Sequence, residues 1–156
     1  MSPCSHSGRP VPSPASVVQA MTLAQARCEA AGEKWTAPRQ RTYALLAAAP
    51  RPMKAYDLIR DFGVSSGVAK PPTVYRSLDL LMGLGLVHKV ASLSAYVVCA
   101  ADAPHTSTNF LVCECCHAVE ELADPGSGVV AQDAARSGYA VDHIALELRG
   151  RCLRCR

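Results

Sequence analysis

Two pairs of cysteines, each with two residues between its members, constrain this chain more than any other feature. Cys113 and Cys116 form the first pair, Cys152 and Cys155 form the second, and 35 residues lie between the two pairs. Two such turns present four thiolates to one tetrahedral zinc ion, with Zn–S distances of about 2.3 Å. The separation exceeds the roughly 15–20 residues of a zinc ribbon, so a strand–helix–strand unit must lie between them. The spacing therefore predicts a structural zinc site that ties the last residues to the middle of the sequence.

Three other interpretations of these cysteines remain open. Cys115 makes Cys113/Cys115 an alternative first pair, although two intervening residues are the commoner ligand spacing. A thioredoxin-like redox pair is a second interpretation, but neither C-x-x-C motif opens a helix within a βαβ pattern. Four unrelated buried thiols are the third. The tetrahedral zinc site is favoured over all of them.

The rest of the composition agrees with a small protein that depends on metal or on a partner subunit. Only 5% of the 156 residues are aromatic, and small domains with few large rings usually need such help. No stretch has the pattern of a secretory signal, and none approaches the roughly 18 apolar residues of a membrane span. Eight cysteines without a secretory signal indicate a reducing compartment. We therefore expect a cytoplasmic protein with no membrane partner.

Residues 17–99 have the pattern of a winged helix-turn-helix domain, preceded by a Pro- and Ser-rich arm over residues 1–16 that we predict to be disordered. Apolar residues at helical spacing predict helices at Val17–Ala31, Thr36–Ala49 and Lys54–Phe62. A fourth helix is predicted to start at Pro71-Pro72-Thr73 and to end around residues 83–85, with Val74, Leu78, Leu81 and Met82 facing inward. In the first helix the apolar positions are Val18, Met21, Ala24, Cys28 and Ala31. Two strand-like runs follow, Leu86–Val90 and Ala95–Cys99, and form the predicted wing.

The remaining residues predict a second, smaller domain. A hinge over residues 100–104 leads to a zinc-binding dimerisation domain over residues 105–156. Its predicted elements are two strands around the first cysteine pair, a helix and a last strand: Thr108–Cys113, Val119–Leu122, Gly128–Ser137 and Tyr139–Leu148. We therefore expect an α/β (α+β) fold with one helical and one zinc-stabilised domain.

Four further donors of metal-binding type surround the predicted hinge. His88 and Cys99 lie on the two wing strands, His105 follows the hinge and Glu121 follows the first cysteine pair. Two imidazoles, one thiolate and one carboxylate make a donor set typical of zinc. Taken singly, however, each has an ordinary explanation as a surface histidine, a small buried thiol or a solvated acid, and spacing alone does not bring them together.

Several longer segments resemble a known family. They are AKPPTVYRSLD at 69–79, GLVHKV at 85–90, SAYVVC at 94–99, HTS at 105–107, AVEE at 118–121 and GYAVDH at 138–143, together with the two C-x-x-C pairs. Over about residues 20–156 the chain closely resembles the ferric uptake regulator (Fur) family, and within it the zinc uptake regulator (Zur) branch.

The resemblance implies a homodimer that binds double-stranded operator DNA when zinc is plentiful and represses zinc-uptake genes. It also implies that His88, Cys99, His105 and Glu121 hold a second, regulatory zinc ion, which makes two zinc ions per monomer. A protein of this kind is not an enzyme and has no small-molecule substrate.

The departures from the family pattern limit the alternatives. Iron-sensing relatives carry a histidine-rich run where this chain has only His105, which argues against an iron sensor and against a further site involving His143. Cys4 and Cys28 match no family ligand. A redox-, peroxide- or other-metal-sensing repressor of the same fold is the alternative, followed by a zinc-binding module without DNA. A zinc nucleobase deaminase is excluded because the chain has no H-x-E motif.

The predicted DNA contacts follow from helix-turn-helix geometry, in which the start of the second motif helix enters the major groove. That geometry assigns Thr73, Tyr75 and Arg76 to the groove, with Arg76 suited to a guanine edge. The predicted backbone contacts are Tyr56, Arg39, Arg41 and Lys70, with Lys89 on the wing. A net charge of +3 permits nucleic-acid binding without requiring it.

Overall fold

The computed structural model describes residues 11–66, 71–100, 107–123 and 126–156. They form two units: the first ends at Cys99, and the second runs from Ala100 to Arg156. Within these ranges the chain forms helices and two three-stranded sheets, which confirms the predicted α+β class. None of the helices in these ranges has both the length and the apolar character that a membrane span needs.

The first unit has helices at its start and a small sheet at its end. Its elements are α1 (Pro14–Ala30), α2 (Ala37–Ala48), β1 (Met53–Lys54), α3 (Ala55–Ser66), α4 (Pro71–Gly83), β2 (Val87–Val90) and β3 (Ala95–Val98). Helix α4 starts at Pro71 as predicted and ends at Gly83, within the predicted region. The other helices differ from the predictions at their ends, and β1 was not predicted, because two residues are too few to give a periodic signal.

Helix α1 begins inside the arm that was predicted to be disordered. The side chain of Ser13 accepts a hydrogen bond from the N–H of Ser16 at 3.1 Å, and Pro14 occupies the first helical position. The Ser13 side chain caps the helix, because the N–H groups of the first turn have no partner within the helix. Pro14 suits the first helical position, because proline has no N–H to leave unpaired there. The predicted start at Val17 was therefore three residues late. Val18, although apolar, is 64% exposed.

Helix α3 also differs from the prediction at both ends. Lys54 belongs to β1, where it pairs with Ala95 of β3. At the other end the helix continues through Gly63 to Ser66. A glycine inside a helix costs only about 1 kcal/mol, so Gly63 alone was a weak reason to end the helix there.

The core of the first unit lies where α3 and α4 meet α2 and the wing. Leu58, Val74, Leu78 and Leu81 are fully buried. The same cluster also contains Ala24, Tyr43, Leu46, Phe62, Leu86, Val87 and Tyr96. Because each large aliphatic side chain contributes about 1.5–3 kcal/mol when fully buried, this cluster fixes α4 against the rest of the unit. Of the four residues of α4 predicted to face inward, Val74, Leu78 and Leu81 are fully buried, and Met82 is partly buried against the same cluster.

The wing is an antiparallel sheet with strand order β1-β3-β2. His88 lies opposite Val97, and Lys89 lies opposite Tyr96. A short turn over Ala91–Leu93 joins β2 to β3, with Ser94 in the left-handed region at φ 48°. The sheet therefore places His88 one strand away from the end of β3, where Cys99 follows.

The second unit contains β4 (Ser107–Cys113), β5 (Val119–Glu121), α5 (Ser127–Arg136) and β6 (Ile144–Gly150). The strand order is β5-β4-β6, with β4 antiparallel to β5 and parallel to β6. The predicted strand at Tyr139–Leu148 was wrong in its bounds. Gly138 has φ 83°, and the N–H of Tyr139 bonds to the carbonyl of Ala134, so these residues close α5 instead.

Candidate metal centre and nucleic-acid interface

The two cysteine pairs meet at one end of the second unit's sheet. Cys113 ends β4, and its register partner in the parallel pairing is Gly150 at the end of β6. Cys152 follows two residues later, and Cys155 ends a final 3-10 turn. The four Sγ atoms of Cys113, Cys116, Cys152 and Cys155 all lie within 4.8 Å of one another. The parallel pairing of two strands distant in sequence is what brings these four sulfurs together.

The spacing of the sulfurs fits a tetrahedral ion. Zn–S bonds of about 2.3 Å place the sulfurs of a tetrahedron about 3.8 Å apart. The Sγ atoms of Cys116 and Cys152, one from each pair, are 3.8 Å apart. Cys113, Cys116 and Cys155 are buried, and Cys152 is half-buried. Four thiol donors at this distance suit zinc and disfavour the oxygen-seeking ions Mg²⁺ and Ca²⁺.

The thiols of the cluster differ in how easily they lose a proton. Burial raises the pKa of Cys113, but backbone N–H groups of Cys116, Cys152 and Cys115 act against it and lower this pKa to about 6. The N–H of Cys152 is 3.3 Å from the Cys113 sulfur. Burial and the neighbouring sulfurs raise the pKa of Cys155 to about 12. Negative charges on four sulfurs this close repel one another, so deprotonation of all four thiols is unfavourable. A bound dication compensates this negative charge.

A tight turn shapes the first cysteine pair. The N–H of His117 bonds to the carbonyl of Cys113 at 2.9 Å, and the N–H of Cys113 bonds to the carbonyl of Ala118 at 2.9 Å. His117 has φ 57°, in the left-handed region that glycine prefers. Cys115 is half-buried beside the cluster. No role was predicted for His117, because a required positive φ has no signature in the sequence when the residue is not glycine.

Substitutions at His117 should separate this backbone requirement from any role of the imidazole. His117→Gly should stabilise the second unit by up to about 1 kcal/mol, whereas His117→Val should destabilise it by about 1–2 kcal/mol, because left-handed backbone is costly for a residue with a Cβ. Urea unfolding at equal zinc excess measures both. Equal stability of the two variants would show that the turn relaxes.

The donors predicted for the second metal site are distributed over both units. In the first unit, a ring nitrogen of His88 and the Sγ of Cys99 lie within 4.8 Å of each other, and both residues are half-buried. The N–H of Cys99 bonds to the carbonyl of Leu86 at 3.0 Å, which extends the wing beyond β3. In the second unit, Oε2 of Glu121 accepts a hydrogen bond from the N–H of Ala100 at 2.9 Å. His105 lies outside the described residues.

The predicted groove residues lie on the first half of α4. Arg76 is exposed, Tyr75 is 45% exposed and Thr73 is half-buried. The Thr73 carbonyl accepts a hydrogen bond from the Ser77 hydroxyl at 2.9 Å. Tyr56 on α3 is 75% exposed, and Lys89 on the wing is also exposed. Lys70 lies outside the described residues.

Arg39 and Arg41, predicted as backbone contacts, are engaged within the first unit. Arg39 forms an ion pair of 3.1 Å with Glu33 and donates to the carbonyl of Lys34. Nη2 of Arg41 donates to the carbonyl of Asp61 at 3.2 Å. Both guanidinium groups therefore hold α2 against neighbouring segments, and contacts to phosphate would use their remaining donors.

Fold and site together define a class: a winged helix-turn-helix unit followed by a small sheet unit with a four-cysteine centre. The chain belongs to the ferric uptake regulator family, whose model matches residues 30–149.

Comparison with individual relatives shows which members of the family the chain is similar to. The chain is 39% identical over 138 residues to the zinc uptake regulation protein of Escherichia coli, covering 85% of this chain and 80% of the relative. Its structure is similar to that of a zinc uptake regulator complexed with zinc and DNA, with a TM-score of 0.83, 31% identity, and coverage of 88% and 93% of the two chains. It is also similar to holo XcZur, with a TM-score of 0.79, 34% identity and coverage of 86% and 94%. The resemblance found in the sequence is confirmed.

Proposed function

We propose that this chain is a zinc-responsive transcriptional repressor that binds operator DNA as a homodimer when zinc is bound and thereby controls zinc-uptake genes. The observation that carries the proposal is the presence of two separate donor groups. One is the four-sulfur cluster of the second unit, and the other is the His88–Cys99 pair of the first unit. The similarity to regulators of zinc uptake supports zinc as the metal for both.

The first group is suited to a structural role. Four sulfurs leave no coordination position open, as in structural rather than catalytic zinc sites. The second unit has little else to hold its end in place: of its residues after β6, only Cys155 is buried. The free energy of zinc binding, on the order of 10 kcal/mol, is comparable to the stability of a whole domain. We therefore assign Cys113, Cys116, Cys152 and Cys155 to a structural zinc.

The second group is suited to sensing. We assign His88, Cys99, His105 and Glu121 to a regulatory zinc, which gives two zinc ions per monomer. His88 and Cys99 belong to the unit that carries α4, whereas Glu121 belongs to the unit with the four-cysteine cluster. In this proposal, one ion bound by ligands from both units would restrict the orientation of α4, the DNA-reading helix. Occupancy of this site would thus select the DNA-competent arrangement.

Basic residues are concentrated in the first part of the chain, which is the distribution expected if the first unit binds DNA. Residues 1–99 contain eleven Lys or Arg and five Asp or Glu, whereas residues 100–156 contain five Arg and eight Asp or Glu. Positive charge in the first part favours contact with phosphates. In this proposal the groove residues are Arg76, Tyr75 and Thr73, and the positioning residues at the backbone are Tyr56, Arg39, Arg41 and Lys70.

The second unit has the features of a dimerisation domain. Strand β6 lies at a sheet edge, paired only with β4 among the described residues. Leu111 and Leu148 are register partners on those two strands, and both are exposed. Helix α5 has no buried residue, and Val129 on it is 69% exposed. An open edge next to exposed apolar side chains is unusual for a monomer and typical of a two-fold interface.

Zinc stoichiometry combined with a gel shift tests the proposal. Protein kept under reducing conditions should hold two zinc ions per monomer and retard operator DNA, and a chelator should remove one ion and the retardation together. A single zinc ion per monomer would contradict the proposed regulatory site. If retardation of the DNA instead depended on a thiol oxidant and did not change when chelator was added, the result would support a redox sensor of the same fold.

Arg76 should carry part of the sequence discrimination. Arg76→Ala should cost about 1–3 kcal/mol of preference for operator over random DNA, because a bidentate guanine contact is lost. Arg76→Lys keeps the charge but loses the planar fork, so it should retain non-specific binding and still lose discrimination. Competition binding with both DNAs measures the difference. Equal weakening on operator and random DNA would reassign Arg76 to a phosphate.

A further inference from the structure

The segment from the end of β6 onwards is strongly basic, although the rest of its unit is acidic. Residues 149–156, here called the basic segment, contain four arginines and no Asp or Glu. Residues 100–148 contain one arginine, no lysine and eight Asp or Glu. The four arginines of the basic segment are all exposed: Arg149, Arg151, Arg154 and Arg156. Positive charge in the second part of the chain is therefore concentrated at one place.

Neighbouring side chains neutralise little of this charge. Nη2 of Arg149 lies 2.8 Å from Oε1 of Glu114, yet the Arg149 side chain is still 59% exposed. Within the part of the chain that the structure describes, the other three arginines of the segment form no ion pair. Adjacent guanidinium groups repel one another, and a polyanion that binds across them relieves this repulsion.

The backbone of the basic segment is ordered by the four-cysteine cluster. The N–H of Cys155 bonds to the carbonyl of Cys152 at 2.8 Å and closes the final 3-10 turn, which contains Arg154. The carbonyl of Gly150 accepts a hydrogen bond from the N–H of Glu114 at 2.8 Å, which ties the segment to the first cysteine pair. A surface whose backbone is already ordered loses less conformational entropy when a ligand binds. The arginines are thus presented from a prepared surface.

We propose that the basic segment is a second DNA contact, which binds phosphates of the duplex backbone without reading the base sequence. Guanidinium groups bind phosphate oxygens through charge-assisted hydrogen bonds. Duplex DNA carries one negative charge per about 1.7 Å of helix axis, which is dense enough to engage several neighbouring arginines at once. This charge complementarity favours DNA over an acidic protein segment. The inference rests on the proposed function, because it requires that the protein binds DNA.

The test measures how salt weakens the binding of the whole zinc-loaded chain to random-sequence duplex DNA, by fluorescence anisotropy. Each phosphate contact contributes about 0.9 to the slope of log K against log salt concentration. Arg154→Gln should therefore reduce the slope by roughly 1, and Arg151→Gln/Arg154→Gln should reduce it by roughly 2. Lysine at both positions keeps the charge and should keep the slope of the parent protein.

Arg136→Gln is the matched control. It removes one positive charge from an exposed arginine of the same unit, whose guanidinium already pairs with Asp133 at 3.1 Å. Its slope should equal that of the parent protein. Zinc analysis and sedimentation verify that every variant keeps its structural zinc and its subunit association.

Three outcomes overturn the inference. Parent slopes in both glutamine variants of the basic segment would show that it touches no phosphate. An equal reduction in Arg136→Gln would show that net charge alone explains the effect. Titration with poly-L-glutamate provides the third: if the variants lost affinity for this polymer but not for DNA, the segment would bind acidic protein instead. Failure of the proposed function has a different signature, because operator binding by the parent protein would then be unchanged by zinc whatever the salt slopes.

Discussion

Replacing Cys113 with serine should leave the second unit unfolded and the protein monomeric. The change removes one of four sulfurs that lie within 4.8 Å of one another. It also removes the acceptor for the N–H of Cys152. Structural zinc contributes on the order of 10 kcal/mol, which is as large as the stability of most domains. Metal analysis should find one zinc fewer per monomer, and sedimentation should find a single subunit.

Cys115→Ser is the matched control for this prediction. It exchanges a disulfide-bonded cysteine for serine two residues away, in the same turn, at a half-buried position outside the four-sulfur group. The control should keep its structural zinc and its dimer. If Cys115→Ser lost the ion while Cys116→Ser kept it, the alternative pairing of Cys113 with Cys115 would be correct.

Replacing Cys99 with serine should produce a folded dimer that no longer responds to zinc. Cys99 lies outside the four-cysteine cluster, and its backbone hydrogen bond to Leu86 does not involve the side chain. The structural site and the core of the first unit are therefore retained. Zinc-dependent affinity for operator DNA should fall by roughly 100-fold, within the usual range of coupling between two sites. A gel shift with buffered zinc measures this loss, and sedimentation verifies the dimer.

Cys28→Ala is the thiol control for this second prediction. Cys28 is fully buried on α1, where its thiol donates to the carbonyl of Glu33, so its removal leaves the wing unchanged. The control should respond to zinc as the parent protein does. If Cys99→Ser were monomeric, the two metal sites would not have separate roles, and the assignment of Cys99 to sensing would have to be abandoned.

The sequence predicted those parts of the fold that have strong local signals. The start of α4 follows from Pro71, and three of its four predicted inward residues, Val74, Leu78 and Leu81, are fully buried. The C-x-x-C spacing likewise predicted that four particular cysteines would converge. In each case the information lies within a few residues of the chain.

What the sequence did not predict depends on contacts between distant residues. The two-residue strand β1 exists only because β3 lies beside it. The last strand was placed five residues too early, because the apolar residues Tyr139 and Val141 resemble the start of a strand. In the structure both are exposed. The bonds from Arg39 to Glu33 and from Arg41 to the carbonyl of Asp61 were not predicted either. Nothing in the sequence around a basic residue indicates which residue of the same unit it contacts.

The parallel pairing of β4 with β6 has a consequence for the order in which the protein folds. It joins Ser107 to Ile144 and continues to Cys113 and Gly150, so each paired residue is 37 positions from its partner. Pairing over such distances forms slowly, whereas helical contacts between near neighbours form quickly. The helices should therefore form first, and the four-cysteine end of the second unit should be completed only after β6, near the end of the chain, has paired with β4.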